Sequence, residues 1–97
     1  MDDEKILEKA IHTFGAQMQM TVAIEELSEL QKEICKQLRG VDRTVCLAEE
    51  IADVEIMLEQ LKMLFDCADE VQTWRKGKLM RLECRIMVAS EKGGGTL

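Results

Sequence analysis

The chain of 97 residues is 46% hydrophobic and 33% charged, with 3% aromatic residues and no proline. This composition favours helices over sheet, and the length allows one domain with a modest core. The net charge of −6 disfavours binding to a nucleic-acid backbone, which requires a basic surface. A membrane-spanning helix needs about 20 apolar residues, and no stretch of the chain approaches that length. The first residues lack the pattern of a signal peptide. We therefore expect a cytoplasmic protein without membrane contact.

The first half of the chain predicts two helices. A short amphipathic stretch runs from Asp3 to about His12 and stops before Gly15, which disfavours helix continuation. A longer helix follows from about Ala16 to Leu38. Its end is marked by Arg39 and Gly40, a basic last turn followed by a glycine.

The second half predicts two further helices. Either Asp42 or Thr44 can cap the third helix, which runs to about Phe65. The fourth helix runs from about Glu70 to Val88. We expect the glycine-rich residues 91–97 to be a flexible tail.

Apolar residues three and four apart predict which helix faces are buried. In the second helix this set is Met20, Ala23 or Ile24, Leu27, Leu30, Ile34 and Leu38, and in the third it is Leu47, Ile51, Val54, Met57 or Leu58, Leu61 and Leu64. The predicted fold is all-α, a single domain over residues 1–90 in which three main helices and a short N-terminal helix form a bundle. One small bundle cannot bury the side chains at all of these apolar positions. We therefore expect a homodimer or a homotetramer.

Two acidic motifs lie at helical spacing, residues 25–29 (Glu-Glu-Leu-Ser-Glu) and 50–53 (Glu-Ile-Ala-Asp). Side chains three apart project from one side of a helix, which pairs Glu26 with Glu29 and Glu50 with Asp53. A short connection makes the two helices antiparallel neighbours, so the four carboxylates are expected to converge. Such hard oxygen ligands suit Mg²⁺ or Mn²⁺. The alternative is a solvated acidic face.

This ordered pair of motifs resembles the Glu-Glu-x-x-Glu … Glu-x-x-Asp signature of the MazG-like, all-α nucleoside triphosphate pyrophosphohydrolases. The resemblance covers about residues 14–65. It implies a helical dimer or dimer of dimers that hydrolyses a (d)NTP between the α- and β-phosphates, with Mg²⁺, to a monophosphate and pyrophosphate. It also implies that four carboxylates bind the ion, namely Glu26, Glu29, Glu50 and Asp53. Glu25 would be a further catalytic carboxylate, which orients the attacking water, deprotonates it, or contacts the metal ligands without binding the ion.

Further residues are candidates for contact with the substrate. The phosphates need positive charge, which Lys78 and Arg81 on the last predicted helix can supply. Gln17 and Gln19 can donate and accept hydrogen bonds at the edge of a base. Trp74 either stacks on a base or belongs to the core.

A second class of function is open to the same residues. The acidic motifs also suit a non-catalytic helical dimerisation or regulatory module whose acidic face binds a basic partner. That module predicts no metal-dependent hydrolysis. A carboxylate-bridged di-iron bundle is disfavoured, because it requires Glu-x-x-His pairs and the sole histidine, His12, lies outside both motifs.

Overall fold

The computed structural model describes residues 1–94, and the side chains of residues 1–91. Across this range the regular secondary structure is entirely helical: α1 (Asp3–Phe14), α2 (Ala16–Leu38), α3 (Thr44–Leu64) and α4 (Ala68–Gly94). The prediction of an all-α chain with three main helices and a short N-terminal helix is therefore confirmed. Residues 91–94 of the predicted tail belong to α4, and residues 95–97 lie outside the described residues.

A single residue, Gly15, separates α1 from α2. The Asp2 carboxylate begins α1 by accepting a hydrogen bond from the Lys5 backbone N–H at 2.9 Å. The helix continues past His12 to Phe14, because the chain has no breaker before Gly15. Gly15 has φ 90° and ψ 153°, a region that glycine alone adopts readily, and it turns the chain between the two helices.

The connection between α2 and α3 turns at Gly40, which has a φ of 87°. Asp42 then ends the loop. Its carboxylate accepts hydrogen bonds from the backbone N–H of Thr44 at 3.2 Å and from the Thr44 hydroxyl at 2.7 Å. The helix α3 begins at Thr44, and its N-cap residue is Arg43, whose side chain makes no capping hydrogen bond. The prediction that Asp42 or Thr44 is the cap is therefore wrong, because Asp42 lies one residue before the cap and bonds Thr44 within the loop.

The helices α2 and α3 pack against each other, and α1 packs on both. Their direction is antiparallel, because Gln19 near the start of α2 bonds to Gln60 near the end of α3, whereas Glu33 bonds to Arg43 at the opposite end. The predicted antiparallel pairing is thus confirmed. The buried apolar residues of this pair are Ala23, Val54 and Met57.

The buried line of α2 differs from the predicted apolar stripe. Ala23 is 3% exposed and Ile24 is 68% exposed, so the small residue faces α3. The predicted burial of Leu27, Ile34 and Leu38 is wrong, since all three are exposed. The residues of α2 that are buried are Gln19, Ala23 and Glu33, and the two polar ones have partners that satisfy them.

The buried line of α3 passes through Val54, Met57 and Gln60. Met57 rather than Leu58 is therefore the inward residue, and the predicted burial of Ile51 is wrong, because it is 42% exposed. These positions are three apart, so they share one side of the helix. The same side carries Glu50 and Asp53, which are both partly buried.

The described chain divides into two compact units, Met1–Asp66 and the segment from Cys67 onward. The second unit contains α4, whose side chains are exposed from Ala68 to Glu91. The helix extends past the predicted end at Val88 because the next residues include no breaker before the glycine run. The prediction of one domain over residues 1–90 stays a prediction. None of the helices within residues 1–94 is both long enough and apolar enough to cross a membrane.

Candidate metal centre

Three carboxylates from two helices meet on the inner side of the α2–α3 pair. Glu26 comes from α2, and Glu50 and Asp53 come from α3. Each offers one oxygen, and these three oxygens lie within 4.8 Å of one another. The spacing of three residues between Glu50 and Asp53 directs both side chains toward α2. We call these three residues the carboxylate cluster.

Polar pairs lie on both sides of the carboxylate cluster. Two turns toward the start of α2, the amide of Gln19 donates to the Gln60 side-chain oxygen at 2.7 Å, and both residues are buried. Two turns toward the end of α2, buried Glu33 accepts two hydrogen bonds from the Arg43 guanidinium, at 2.9 and 3.2 Å. The carboxylate cluster therefore occupies the middle of a helix pair that is bonded at each end.

The two glutamates of the carboxylate cluster have raised pKa values. Burial, followed by the charge of Asp53, raises the pKa of Glu26 above its ordinary value of 4.5. Burial and then the charge of Asp53 also raise the pKa of Glu50 above its ordinary value of 4.5. Like charges that lie close together in a partly buried site disfavour full ionisation. A cation bound among them would favour the ionised carboxylates and so lower their pKa values.

One oxygen of the carboxylate cluster has no hydrogen-bond partner in the part of the chain that the structure describes. Glu50 Oε2 is buried, and it lacks a hydrogen-bond partner among the side chains of residues 1–91. A buried acceptor of this kind costs free energy unless a donor or a cation satisfies it. Three carboxylates, one of them with an unsatisfied buried oxygen, form a donor set that fits a hard divalent cation, because Mg²⁺ and Mn²⁺ take carboxylate oxygens and complete their coordination with water or phosphate.

The other acidic residues of the motifs lie outside this cluster. Glu29 is exposed and forms an ion pair with Lys32 at 3.6 Å. Its charge still contributes to the raised pKa of Glu50, after burial and Asp53, so it lies at the rim of the cluster. Glu25 and Glu49 are exposed. The assignment of Glu29 as a ligand and of Glu25 as a catalytic group stays a prediction.

The predicted substrate-binding residues are distributed over both units. Gln17 is exposed on α2, whereas Gln19 is buried and uses its amide N–H to bond Gln60. Lys78 and Trp74 are neighbours on α4, with the Lys78 Nζ 6.0 Å from the centre of the Trp74 ring, a cation–π distance. Arg81 is exposed on the same helix. The carboxylate cluster is built without any of these five residues.

Two bonded pairs escaped the sequence interpretation. Gln60 and the Glu33–Arg43 pair carry no recognisable motif, and polar residues on an amphipathic helix are normally assigned to the solvent side. A signal was nevertheless present. Gln19, Glu26 and Glu33 recur every two turns along α2, and Gln60 and Asp53 recur at the same interval along α3.

The chain was compared with models of protein families, with curated proteins and with solved structures, and no match was found in any of the three.

Proposed function

We propose that this protein is a Mg²⁺-dependent nucleoside triphosphate pyrophosphohydrolase, which converts a (d)NTP to a (d)NMP and pyrophosphate. The observation that carries the proposal is the meeting of Glu26, Glu50 and Asp53 within 4.8 Å, with Glu50 Oε2 buried and unsatisfied. The resemblance of the two acidic motifs to MazG-like enzymes supports the same reaction. The proposed role is housekeeping of the nucleotide pool in the cytoplasm.

Each acidic residue has a role in this proposal. The carboxylate cluster holds Mg²⁺, or Mn²⁺ in its place. A bound ion would neutralise phosphate charge and lower the pKa of a water molecule. Glu25 and Glu29 are exposed. Glu29 completes the ligand set, and Glu25 orients the attacking water, accepts its proton, or contacts the metal ligands without binding the ion.

The substrate needs groups beyond the carboxylate cluster. Lys78 and Arg81 are the proposed phosphate contacts, and their exposure on α4 leaves both charges free to approach an anion. Gln17 and Gln19 are the proposed contacts to the edge of the base. Gln19 already donates one amide N–H to Gln60, so its other amide groups would contact the base. Trp74 is 66% exposed, which suits a ring that stacks on a base.

The proposed assembly is a homodimer or a homotetramer. Exposed apolar side chains recur along one side of α2, at Ile24, Leu27, Ile34 and Leu38. A stripe of this kind on a small chain is a typical subunit interface. An isologous contact through this stripe would bring two copies of α2 together.

The reaction can be tested directly. We expect a panel of nucleoside and deoxynucleoside triphosphates, incubated with Mg²⁺ or Mn²⁺, to include one that yields monophosphate and pyrophosphate in equal amounts. EDTA should stop the reaction, and Asp53→Asn should abolish it. The control Glu49→Gln, which removes an exposed charge next to the cluster, should stay active.

Two results would contradict the proposal. Release of inorganic phosphate and a diphosphate would place the cleavage at another bond. A protein that binds Mn²⁺ but hydrolyses no member of the panel would favour the non-catalytic dimerisation or regulatory module, whose acidic face binds a basic partner.

A further inference from the structure

We propose that the Gln19–Gln60 hydrogen bond is a positioning pair, which fixes the register of α2 against α3 and thereby brings Glu26 level with Asp53. The two residues are 6% and 3% exposed, and the bond between them is 2.7 Å long. We call them the glutamine pair. The inference depends on the metal-binding part of the proposed function and assigns a role to two residues that do not touch the ion.

The geometry follows from the antiparallel packing of the helices. Glu26 lies two turns after Gln19 on α2, and Asp53 lies two turns before Gln60 on α3. With a rise of about 1.5 Å per residue, both carboxylates are about 10 Å along the helix pair from the glutamine pair, in the same direction. When Gln19 and Gln60 are level, Glu26 and Asp53 are level as well.

A shift in register would take the carboxylate cluster apart. A slip of one turn moves one helix by about 5.4 Å relative to the other. That displacement exceeds the 4.8 Å within which the three carboxylate oxygens now lie. Ligands from α2 and α3 would then no longer reach a common cation.

The apolar contacts of the helix pair do not select this register as sharply. Ala23, Val54 and Met57 are buried, but apolar contacts are non-directional and tolerate sliding. Repulsion within the carboxylate cluster favours separation of the helices while no cation is bound. A buried hydrogen bond between two amides is directional, and a single buried polar pair is known to specify register in coiled coils at a cost in stability.

The glutamine pair also acts where the chain itself does not restrain the helices. Glu33 and Arg43 are ten residues apart and bond across the turn that joins α2 to α3. Gln19 and Gln60 are 41 residues apart, at the opposite end of the pair. The turn and the Glu33–Arg43 bond hold one end of the helix pair, and the glutamine pair holds the other.

The test is to remove both amides while keeping the side-chain length. The double variant Gln19→Met/Gln60→Met creates no new unsatisfied buried polar group, so its melting temperature in EDTA should equal or exceed that of the wild type. Its affinity for Mn²⁺, measured by titration of the full chain well below the melting temperature, should fall about 10–100-fold, as for other groups that orient metal ligands. Gln31→Met changes an exposed glutamine of α2 and should leave the melting temperature and the Mn²⁺ affinity unchanged.

The outcomes separate the inference from the proposed function. A double variant that folds and binds Mn²⁺ as tightly as the wild type overturns the positioning role. A wild-type protein without Mn²⁺ affinity overturns the proposed metal site and this inference with it. Gln19→Leu/Gln60→Leu repeats the test with another apolar pair, and failure of both double variants to fold would assign the glutamine pair to folding itself and so overturn the inference as well.

Discussion

Replacing Glu50 by glutamine should raise the melting temperature of the metal-free protein and remove most of the stabilisation that Mg²⁺ provides. The Glu50 carboxylate lies within 4.8 Å of those of Glu26 and Asp53, and burial followed by the charge of Asp53 raises its pKa. Glutamine has the same shape without the charge, and its amide can donate to a neighbouring carboxylate. The variant therefore relieves repulsion in the empty site but offers the ion one charged ligand fewer.

The size of the ion effect can be worked out from linkage. An ion at about 100 times its dissociation constant stabilises the folded state by about 2.7 kcal/mol. For a unit of the size of Met1–Asp66, each kcal/mol shifts the melting temperature by about 4–8 °C. Mg²⁺ should therefore raise the melting temperature of the wild type by about 10–20 °C, and that of Glu50→Gln by a small fraction of this.

Calorimetric melts in EDTA and in Mg²⁺ provide the measurement, with Glu49→Gln as the matched control. Glu49 is the adjacent residue, it is exposed, and the same charge is removed. The control should keep nearly the full shift with the ion. Equal responses of the two variants to Mg²⁺, or a lower melting temperature for Glu50→Gln than for the wild type in EDTA, would refute the placement of the ion on the carboxylate cluster.

Three further predictions concern stability and assembly. Lowering the pH from 7 toward 4.5 should stabilise the metal-free protein. The raised pKa values of Glu26 and Glu50 make the contribution of these groups to the free energy of unfolding largest below pH 4.5, and that contribution is lost as the pH rises through the raised values. Below pH 4.5 the trend should reverse, because Arg43 lowers the pKa of Glu33 and the stabilisation from this ion pair is lost as the pH falls; urea denaturation at a series of pH values measures both trends. Urea denaturation should show that Met57→Ala lowers the free energy of unfolding by about 2–5 kcal/mol, because Met57 is buried. The control Met18→Ala, at an exposed position, should lower it by less than about 0.5 kcal/mol. Equal losses would contradict the packing of Met57 between helices. Light scattering at micromolar concentration should give at least twice the 11.1 kDa of one chain, and a folded, fully active monomer would exclude the proposed assembly.

The helices and the positions of their breaks could be predicted from sequence because their causes are local. Gly15 and Gly40 each have a positive φ where the chain turns. Apolar spacing indicated the long helices α2 and α3 for the same reason. The acidic motifs could also be recognised locally, and three of their carboxylates do meet.

Which residues of each helix are buried could not be predicted from that helix alone, because it depends on the packing of the neighbouring helix. Periodicity accepts either Ala23 or Ile24, and the close approach of α3 selects the smaller side chain. Gln19 is buried because Gln60, 41 residues away, satisfies its amide. No pattern within one helix contains that information. Glu29 differs by roughly 60° from Glu26 around the helix, which explains why it lies at the rim instead of inside the cluster.

The backbone at Gly15 has a consequence for mutational scanning. Its φ of 90° and ψ of 153° belong to a region that costs other residues about 1–3 kcal/mol. A Cβ built there would meet no atom within 4 Å, so the cost comes from the backbone alone and hardly depends on side-chain size. Alanine and tryptophan should therefore score alike at this position. A residue with no side-chain contacts would then resemble a functional residue in its intolerance of change, and only its flat response across all substituents would reveal a purely conformational requirement.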